Sequence, residues 1–138
     1  MPFIRVEYMK GQYQDKDLPN ISKSIQNVLM EEFNVPAKDY FQVFESHDKS
    51  EFYYDPNYFN IPRTDKLLYI YVTLAPGRSQ EKKFRFYKNL SYILSTNCDI
   101  RQENIFIVLV ETGRDNWTFG NGLAQASEVN IGGEENAK

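Results

Sequence analysis

Apolar and polar residues alternate along the first strand-like segment of the chain. Over residues 3–8, Ile4 and every second residue after it fall on one apolar face, while the charged Arg5 and Glu7 fall on the other. Alternation with a period of two predicts a strand in which the two faces meet different surroundings. A loop containing Gly11 follows, so the chain is expected to turn after this strand.

A helix with one apolar side is predicted next. Asp17-Leu18-Pro19 is typical of a helix start, because proline in the first turn lacks only an N–H that the helix leaves unpaired there. Apolar residues then recur at spacings of three and four, as on one face of a helix. They are Leu18, Ile21, Ile25, Val28, Leu29 and Phe33. Asn34-Val35-Pro36 is predicted to end this helix, and residues 40–45 are predicted to form the next strand.

The second half of the chain repeats this order of elements. Residues 67–74 (LLYIYVTL) are almost continuously apolar, which predicts a strand buried on both faces. Pro76-Gly77 breaks the strand, and Ser79 is placed to cap a second helix. The buried face of that helix is predicted to contain Phe84, Tyr87, Leu90 and Leu94. Asn97 is predicted to close the helix, and residues 105–110 (IFIVLV) are the last predicted strand.

Two consecutive β-α-β units therefore account for most of the chain. The pseudo-repeats are residues 2–46 and 67–111, and Leu67 takes the place of Phe3. Two right-handed units side by side predict an α/β (α+β) domain, with a four-stranded sheet and two helices on one face. The other face would be left bare, so we expect a partner subunit to cover it. A single domain is predicted for residues 1–125, followed by a polar C-terminal tail, 126–138.

Composition narrows the classes of function that are open to the chain. A net charge of −3 offers no basic surface for nucleic acid, and no apolar run approaches the roughly 20 residues of a membrane span. One cysteine and one histidine exclude an internal disulfide, a cysteine-based metal site and a histidine triad. Because no secretory leader opens the sequence, a cytoplasmic location is expected.

Pro2 is the first candidate for chemistry. Initiator methionine is normally removed before a small residue, which would leave Pro2 with a free secondary amine at the start of a strand. An α-amino group titrates near about pH 8, and burial lowers its pKa because the charged form is desolvated. Such an amine can act as a base, an acid or a nucleophile near neutral pH. The plainer interpretation is an ordinary processed terminus.

Five short segments give the chain a resemblance to a known family. They are Met1-Pro2, Val35-Pro36-Ala37-Lys38-Asp39-Tyr40-Phe41-Gln42, Ile61-Pro62-Arg63-Thr64, Gly77-Arg78-Ser79 and Asn116-Trp117-Thr118-Phe119-Gly120-Asn121-Gly122. In this order, on a duplicated β-α-β unit, they resemble the tautomerase superfamily. Within it, the longer single-chain branch containing malonate semialdehyde decarboxylase is most similar. The resemblance runs from residue 2 to about 125 and implies the tautomerase fold. It also implies a homotrimer with Pro2 at the bottom of a pocket near a subunit boundary.

The resemblance further implies roles for single residues. Pro2 matches the catalytic amine, and Asp39 matches the carboxylate that works beside it and handles water or the carbonyl. Arg78 matches an arginine that grips the substrate carboxylate. Trp117 and Phe119 match aromatic residues that wall the pocket. The implied substrate is a small oxo acid, and no cofactor or metal is implied.

Plainer interpretations of the same residues remain open. Asp39 lies in a loop where aspartate is a common turn residue. Arg78 precedes the helix cap at Ser79, where it can bind an anion together with free backbone N–H groups, or remain a solvated loop arginine. Trp117 and Phe119 stand between glycines, which suits a loop packed on an apolar surface of a trimer as well as on a substrate.

One departure from the decarboxylase concerns the substrate. The decarboxylase has two arginines close together after the third strand, whereas residues 74–78 supply Arg78 alone, so one bidentate clamp is missing. Arg63 and Arg5 are the candidates for a compensating charge, and Arg63 is predicted to bind substrate. Enol–keto tautomerisation of small oxo acids is the leading prediction. Decarboxylation or hydration of a β-oxo acid such as malonate semialdehyde, and a non-enzymatic trimer that binds a metabolite, are the alternatives.

Overall fold

A computed structural model of the chain describes residues 1–127. Its strands and long helices are β1 (Phe3–Met9), α1 (Leu18–Phe33), β2 (Gln42–His47), β3 (Leu68–Leu74), α2 (Gln80–Cys98) and β4 (Ile105–Glu111). The strands lie in the order β2-β1-β3-β4. β1 is parallel to β2 and β3 is parallel to β4, while β1 and β3 form the central antiparallel pair. The two predicted β-α-β units and the four-stranded sheet are therefore confirmed. Of the predicted tail, residues 128–138 lie outside the described residues.

Both helices pack on the same face of the sheet, and the core lies between them. Ile4 and Val6 of β1 and Ile70 and Val72 of β3 are fully buried against the helices. Their apolar side chains alternate with residues of the other face, as the period of two predicted for β1. Phe33 of α1 stacks on a phenylalanine of α2, with 4.6 Å between the ring centroids, and so joins the two helices.

Both helices end in the same way. Asn34 after α1 and Asp99 after α2 have left-handed backbones, with φ of 56° and 58°. Their N–H groups donate to the carbonyls of Leu29 and Leu94, respectively, which satisfies carbonyls at the helix ends. The predicted cap of α2 is confirmed as well, since Ser79 Oγ accepts a hydrogen bond from a backbone N–H of the first turn at 3.2 Å.

The predicted buried face of α2 was partly wrong. Phe84 is 58% exposed, whereas Phe86 is completely buried. Phe86, Leu90 and Leu94 follow one another at intervals of four residues and form the row that faces the sheet. Phe84 is two residues away from that row, so the helix turns its ring towards solvent. Because Phe84 and Phe86 are only two residues apart, spacing alone could not show which of them faces the sheet.

The sheet face opposite the helices is open in the single chain. It exposes apolar side chains in part, namely Phe41, Val43, Tyr71, Phe106 and Val110. The prediction that β3 is buried on both faces is therefore wrong for the described chain, because only alternate residues of β3 are buried. At the centre of this face Arg5 pairs with Glu45 at 3.0 Å, and His47 lies 2.9 Å from Glu7. No helix within residues 1–127 has the length and apolar character needed to cross a membrane.

Candidate functional site

The start of the chain lies buried at one end of the sheet. The amino group of Met1 forms an ion pair with the carboxylate of Asp39, and Pro2 is buried beside it. The turn that follows α1 positions Asp39, whose N–H donates to the carbonyl of Pro36 at 3.0 Å. The buried side chain of Gln26 donates to the Asp39 carbonyl, also at 3.0 Å. The helix and the turn thus hold this carboxylate next to the N-terminus.

A cavity of about 470 Å³ opens next to this ion pair. We call it the cationic cavity, because its lining contains Arg78, Lys82 and Arg114. The carboxylate of Asp39 also lines it. Four parts of the fold contribute to the wall: the start of the chain, the end of α1, the turn between β3 and α2, and the segment after β4.

Arg78 is held in the cavity wall by its surroundings. Its guanidinium donates to the carbonyls of Ala75 and Phe33 at 3.1 and 3.3 Å, and it lies 5.2 Å from the centroid of the Phe33 ring. Gly77, with a φ of +126°, allows the chain to turn sharply enough to bring Arg78 back over Phe33. Burial lowers the pKa of Arg78, and the positive charge of Arg114 lowers it further. Arginine nevertheless stays protonated in proteins, so the cavity keeps this charge.

A second, smaller cleft of about 250 Å³ adjoins the first. We call it the aromatic cleft, because Phe3, Phe41, Trp117 and Phe119 form its walls together with Pro2. The last two rings stand 5.9 Å apart between centroids. The side chain of Gln125 holds their loop, since it accepts from the N–H of Phe119 at 2.8 Å and donates to the carbonyl of the next residue at 2.9 Å.

The indole N–H of Trp117 is buried and finds no hydrogen-bond acceptor among residues 1–127. A buried donor without a partner costs about 1–3 kcal/mol. Trp117 lines the aromatic cleft, but its N–H has almost no accessible surface there. The walls of the cleft are therefore mainly aromatic.

The two cavities meet at the start of the chain. Met1 and Asp39 line both of them. A molecule that reaches this junction has positive charge on one side and aromatic rings on the other. Such a site suits a small acid with an apolar or unsaturated part, because a few polar groups orient a ligand while apolar walls exclude water.

The structure brings five of the six predicted site residues together. Pro2, Asp39, Arg78, Trp117 and Phe119 all line one or both of the cavities. Arg63 lines neither: its guanidinium donates at 2.9 and 3.3 Å to backbone carbonyls in its own loop. The other candidate for a compensating charge, Arg5, is on the open sheet face. The predicted role of Arg63 in binding substrate stays a prediction.

Arg114 is the site residue that sequence reasoning missed. It follows β4 by three residues, as Arg78 follows β3 by four, and Leu74 pairs with Glu111 at the ends of these strands. Since β3 and β4 are parallel, their carboxyl ends meet at the same edge of the sheet. The signal was present in the second β-α-β unit, because an arginine follows each of its two parallel strands, β3 and β4, at this edge.

Similarity to known proteins agrees with this geometry. Residues 39–120 match the family model described as "Tautomerase enzyme". The Bacillus subtilis (strain 168) protein named "Probable tautomerase YusQ" is 39% identical over 128 residues, which are 93% of this chain and 100% of that protein. A solved structure of malonate semialdehyde decarboxylase has a TM-score of 0.83 and 26% identity, and the match covers 89% of this chain and 94% of that one.

A more distant structure shares the fold alone. The protein described as "Q0 fused 4-OT wild type symmetric trimer" has a TM-score of 0.73 and 16% identity, over 91% of this chain and 98% of that one. The family model spans more than half of this chain, and the similarity to the Bacillus protein spans nearly all of it. The chain therefore belongs to the tautomerase superfamily, in the branch that contains malonate semialdehyde decarboxylase.

Proposed function

We propose that the protein is a cofactor-independent enzyme that interconverts the enol and keto forms of small oxo acids. The observation that carries this proposal is the position of the chain start, against Asp39 and between the cationic cavity and the aromatic cleft. Pro2 is the next residue and is buried in the wall of the aromatic cleft. Removal of Met1 would make its nitrogen a secondary amine at the junction of the two cavities.

Arg78 is proposed to hold the carboxylate of the substrate. Two of its five N–H groups donate to the carbonyls of Ala75 and Phe33, so three remain for an anion. The Phe33 ring beneath the guanidinium limits its rotation, which reduces the entropy lost when a carboxylate binds. The carbon skeleton of the acid would then extend towards the aromatic cleft and pass the nitrogen of Pro2.

The proposed reaction moves one proton and no net electrons. The neutral amine of Pro2 takes the proton of the enol hydroxyl, and the electron pair of that O–H bond stays on the oxygen of an enolate. As this pair forms the second bond of the C=O group, the electron pair of the C=C bond takes the same proton from the prolinium to form a C–H bond. Asp39 would stabilise the prolinium between these steps, as its carboxylate does for the amino group of Met1. No cofactor or oxidant is needed.

A homotrimer is proposed for the assembled enzyme. The open sheet face exposes apolar side chains in part, and water contact with such a face is unfavourable. The fused 4-OT protein, which shares the fold, is described as a trimer. Sedimentation should give about 49 kDa for three chains of 16.3 kDa. A monomer at micromolar concentration would contradict this proposal. The cytoplasmic location also stays a prediction.

Decarboxylation or hydration of a β-oxo acid is the second candidate within the enzyme class. The malonate semialdehyde decarboxylase that resembles this chain is described with decarboxylase and hydratase activities. The two candidates share one pocket and differ in the charge of the Pro2 amine. A low pKa would make this amine a base for tautomerisation, and a high pKa would make it an acid that polarises a carbonyl. The third candidate is a trimer that binds a metabolite without turnover.

The test compares protein lacking Met1 with protein that retains it, at the same oligomer content. Retained Met1 turns the Pro2 nitrogen into an amide without an available lone pair, so ketonisation of an enol acid should fall to the uncatalysed rate. Pro2→Ala leaves a primary amine and should retain part of the activity with a shifted pH profile, from about pH 5 to about pH 10. If the carboxylate of Asp39 were the base instead, blocking the Pro2 amine would leave the rate unchanged. Equal rates with and without Met1 would therefore end the proposal.

A further inference from the structure

The charges around the cationic cavity are not balanced by the protein. Within residues 1–127 three cationic side chains line it, Arg78, Lys82 and Arg114, and the one carboxylate in the lining is that of Asp39. This carboxylate is already paired with the amino group of the chain. The protein as a whole carries a net charge of −3, so the local excess of positive charge runs against its overall charge.

A second acidic residue, Glu111, acts on Arg78 but is also paired with another side chain. The negative charge of Glu111 acts on Arg78 and opposes the lowering of its pKa. However, Glu111 is bound to Lys83 at 2.8 Å. Arg114 and Lys82 form no ion pair with any residue from 1 to 127. Two guanidinium groups and an ammonium thus face one cavity of about 470 Å³, and the one carboxylate in its described lining, that of Asp39, is already paired with the amino group of Met1.

Keeping like charges together in a partly buried site costs free energy, because each cation raises the energy of the others. The positive charge of Arg114 accordingly adds to the lowering of the pKa of Arg78 by burial. A bound anion removes this cost. A carboxylate fits the two parallel N–H groups of one guanidinium. A molecule with two carboxylates can therefore give each arginine a bidentate partner of its own.

We propose that Arg114 binds a second carboxylate, so that the substrate is a small oxo diacid, a dianion at neutral pH. The inference rests on the proposed function for the oxo acid and adds the second acid group. Arg78, from the turn after β3, holds the carboxylate next to the reacting carbon. Arg114, from the segment after β4, holds the distal carboxylate, and Lys82 at the first turn of α2 adds a third positive charge to the same cavity. Arg114 is thus a specificity-determining residue, and it supplies the charge that the segment after β3 lacks.

The turnover test uses two substrates of nearly the same size, with protein that lacks Met1. They are the enol of 2-oxobutanedioate, a dianion, and its C4 methyl ester, a monoanion. We expect Arg114→Gln to raise KM for the diacid by roughly 10- to 150-fold, the equivalent of a hydrogen bond to a charged group, and to change KM for the ester by less than about 3-fold. Arg114→Lys should give an intermediate KM for the diacid, because lysine keeps the positive charge but cannot donate two parallel hydrogen bonds to one carboxylate. Arg101→Gln is the matched control, since Arg101 is exposed, lines neither cavity and lies 3.6 Å from Glu103.

A binding test separates this inference from the proposed function. Titration calorimetry with fumarate, an unreactive dianion, and with its monomethyl ester requires no turnover. Fumarate should bind at least about 10-fold more weakly to Arg114→Gln than to the parent protein, and the ester should bind equally to both. If Arg114→Gln weakens the binding of fumarate but not of its ester, and neither enol is turned over, the dianion subsite is supported and the tautomerase proposal is contradicted. If both enols are turned over equally well and Arg114→Gln affects neither, the tautomerase proposal stands and the dianion subsite is overturned.

Discussion

The two ends of the molecule are built alike and have different chemistry. The cationic cavity lies where α1 ends, where β3 turns into α2 and where the chain begins. A cavity of about 430 Å³ at the other end lies where α2 ends, where β1 turns into α1 and where the segment before β3 arrives. We call it the opposite cavity. The left-handed caps at Asn34 and Asp99, one in each wall, have the same hydrogen bonding.

In the opposite cavity Lys66 is held by neighbouring groups of the protein. Lys66 precedes β3 as Pro2 precedes β1, and its ammonium donates to the carbonyl of Gln12 at 2.8 Å. It also lies 5.0 Å from the centroid of the Tyr13 ring, whose hydroxyl donates back to the Lys66 carbonyl at 2.6 Å. The lining of the opposite cavity contains as many carboxylates as cations, Asp17 and Asp99 with Lys16 and Lys66, whereas that of the cationic cavity contains one carboxylate and three cations. In the cationic cavity the chain start takes the place of Lys66. A duplicated backbone thus provides two similar cavities, and their side chains decide that only one has charge left over for a ligand.

The largest expected contrast between the two ends is in stability. Phe33 closes α1 at the cationic cavity, is buried and stacks on Phe86, so Phe33→Ala should lower the free energy of unfolding by roughly 3–5 kcal/mol. Cys98 closes α2 at the opposite cavity and is half-buried, so Cys98→Ala should cost no more than about 1 kcal/mol. Urea unfolding of the two variants measures both values. Equal losses would mean that Phe33 does not anchor its end of the core.

The next contrast concerns catalysis. Arg78→Ala should raise KM for an enol acid by a factor equivalent to roughly 1.5–3 kcal/mol, because it removes the proposed carboxylate partner. Lys66→Ala, the matched loss of a cation at the opposite cavity, should leave KM unchanged. Steady-state kinetics on both variants decides the matter. A KM that is unchanged in Arg78→Ala would transfer the anchoring role to another cation, and an effect of Lys66→Ala would give the opposite cavity a function.

The helix caps should behave alike in stability and differently in kinetics. Alanine tolerates the left-handed backbone less well than asparagine or aspartate, so Asn34→Ala and Asp99→Ala should each cost about 1 kcal/mol. Asn34 lines the cationic cavity, so only its replacement should also alter KM. Thermal unfolding and kinetics of the pair provide the values. If one of the two substitutions left the free energy of unfolding unchanged, the two helix caps would not be equivalent in stability.

The smallest contrast is in the response to alkaline pH. Burial raises the pKa of Tyr13 above its ordinary value of 10.0, and the charge of Asp17 adds to the rise. The unfolded chain therefore loses this proton first as pH increases. The resulting stabilisation is complete below about pH 10 and is lost above it. Tyr13→Phe should cost roughly 0.5–1 kcal/mol at neutral pH, through the lost hydrogen bond, and should make unfolding less sensitive to pH above 10. If the free energy of unfolding of Tyr13→Phe falls as steeply above pH 10 as that of the parent protein, Tyr13 is not the source of this pH dependence. The enzymatic activity of the variant should equal that of the parent protein.

Local patterns were sufficient for the elements of the fold. The period of two over β1, the spacing of three and four along α1 and the cap at Ser79 all reflect contacts between near neighbours in the chain. Such contacts have the same geometry in any strand or helix, so they can be read without knowledge of the rest. Local patterns could not show whether Phe84 or Phe86 is buried, because that depends on which side of α2 meets the sheet.

The sequence by itself determined the order of the elements, the repeat and the candidate residues near Pro2. Only the tertiary structure decided which charged side chains lie close together in space. Arg78 and Arg114 are 36 positions apart in the chain, and they face one cavity because β3 and β4 are parallel and in register. Arg63 lines neither cavity because its loop takes up its guanidinium. Electrostatic interaction depends on distance in space, and only the packed sheet sets that distance.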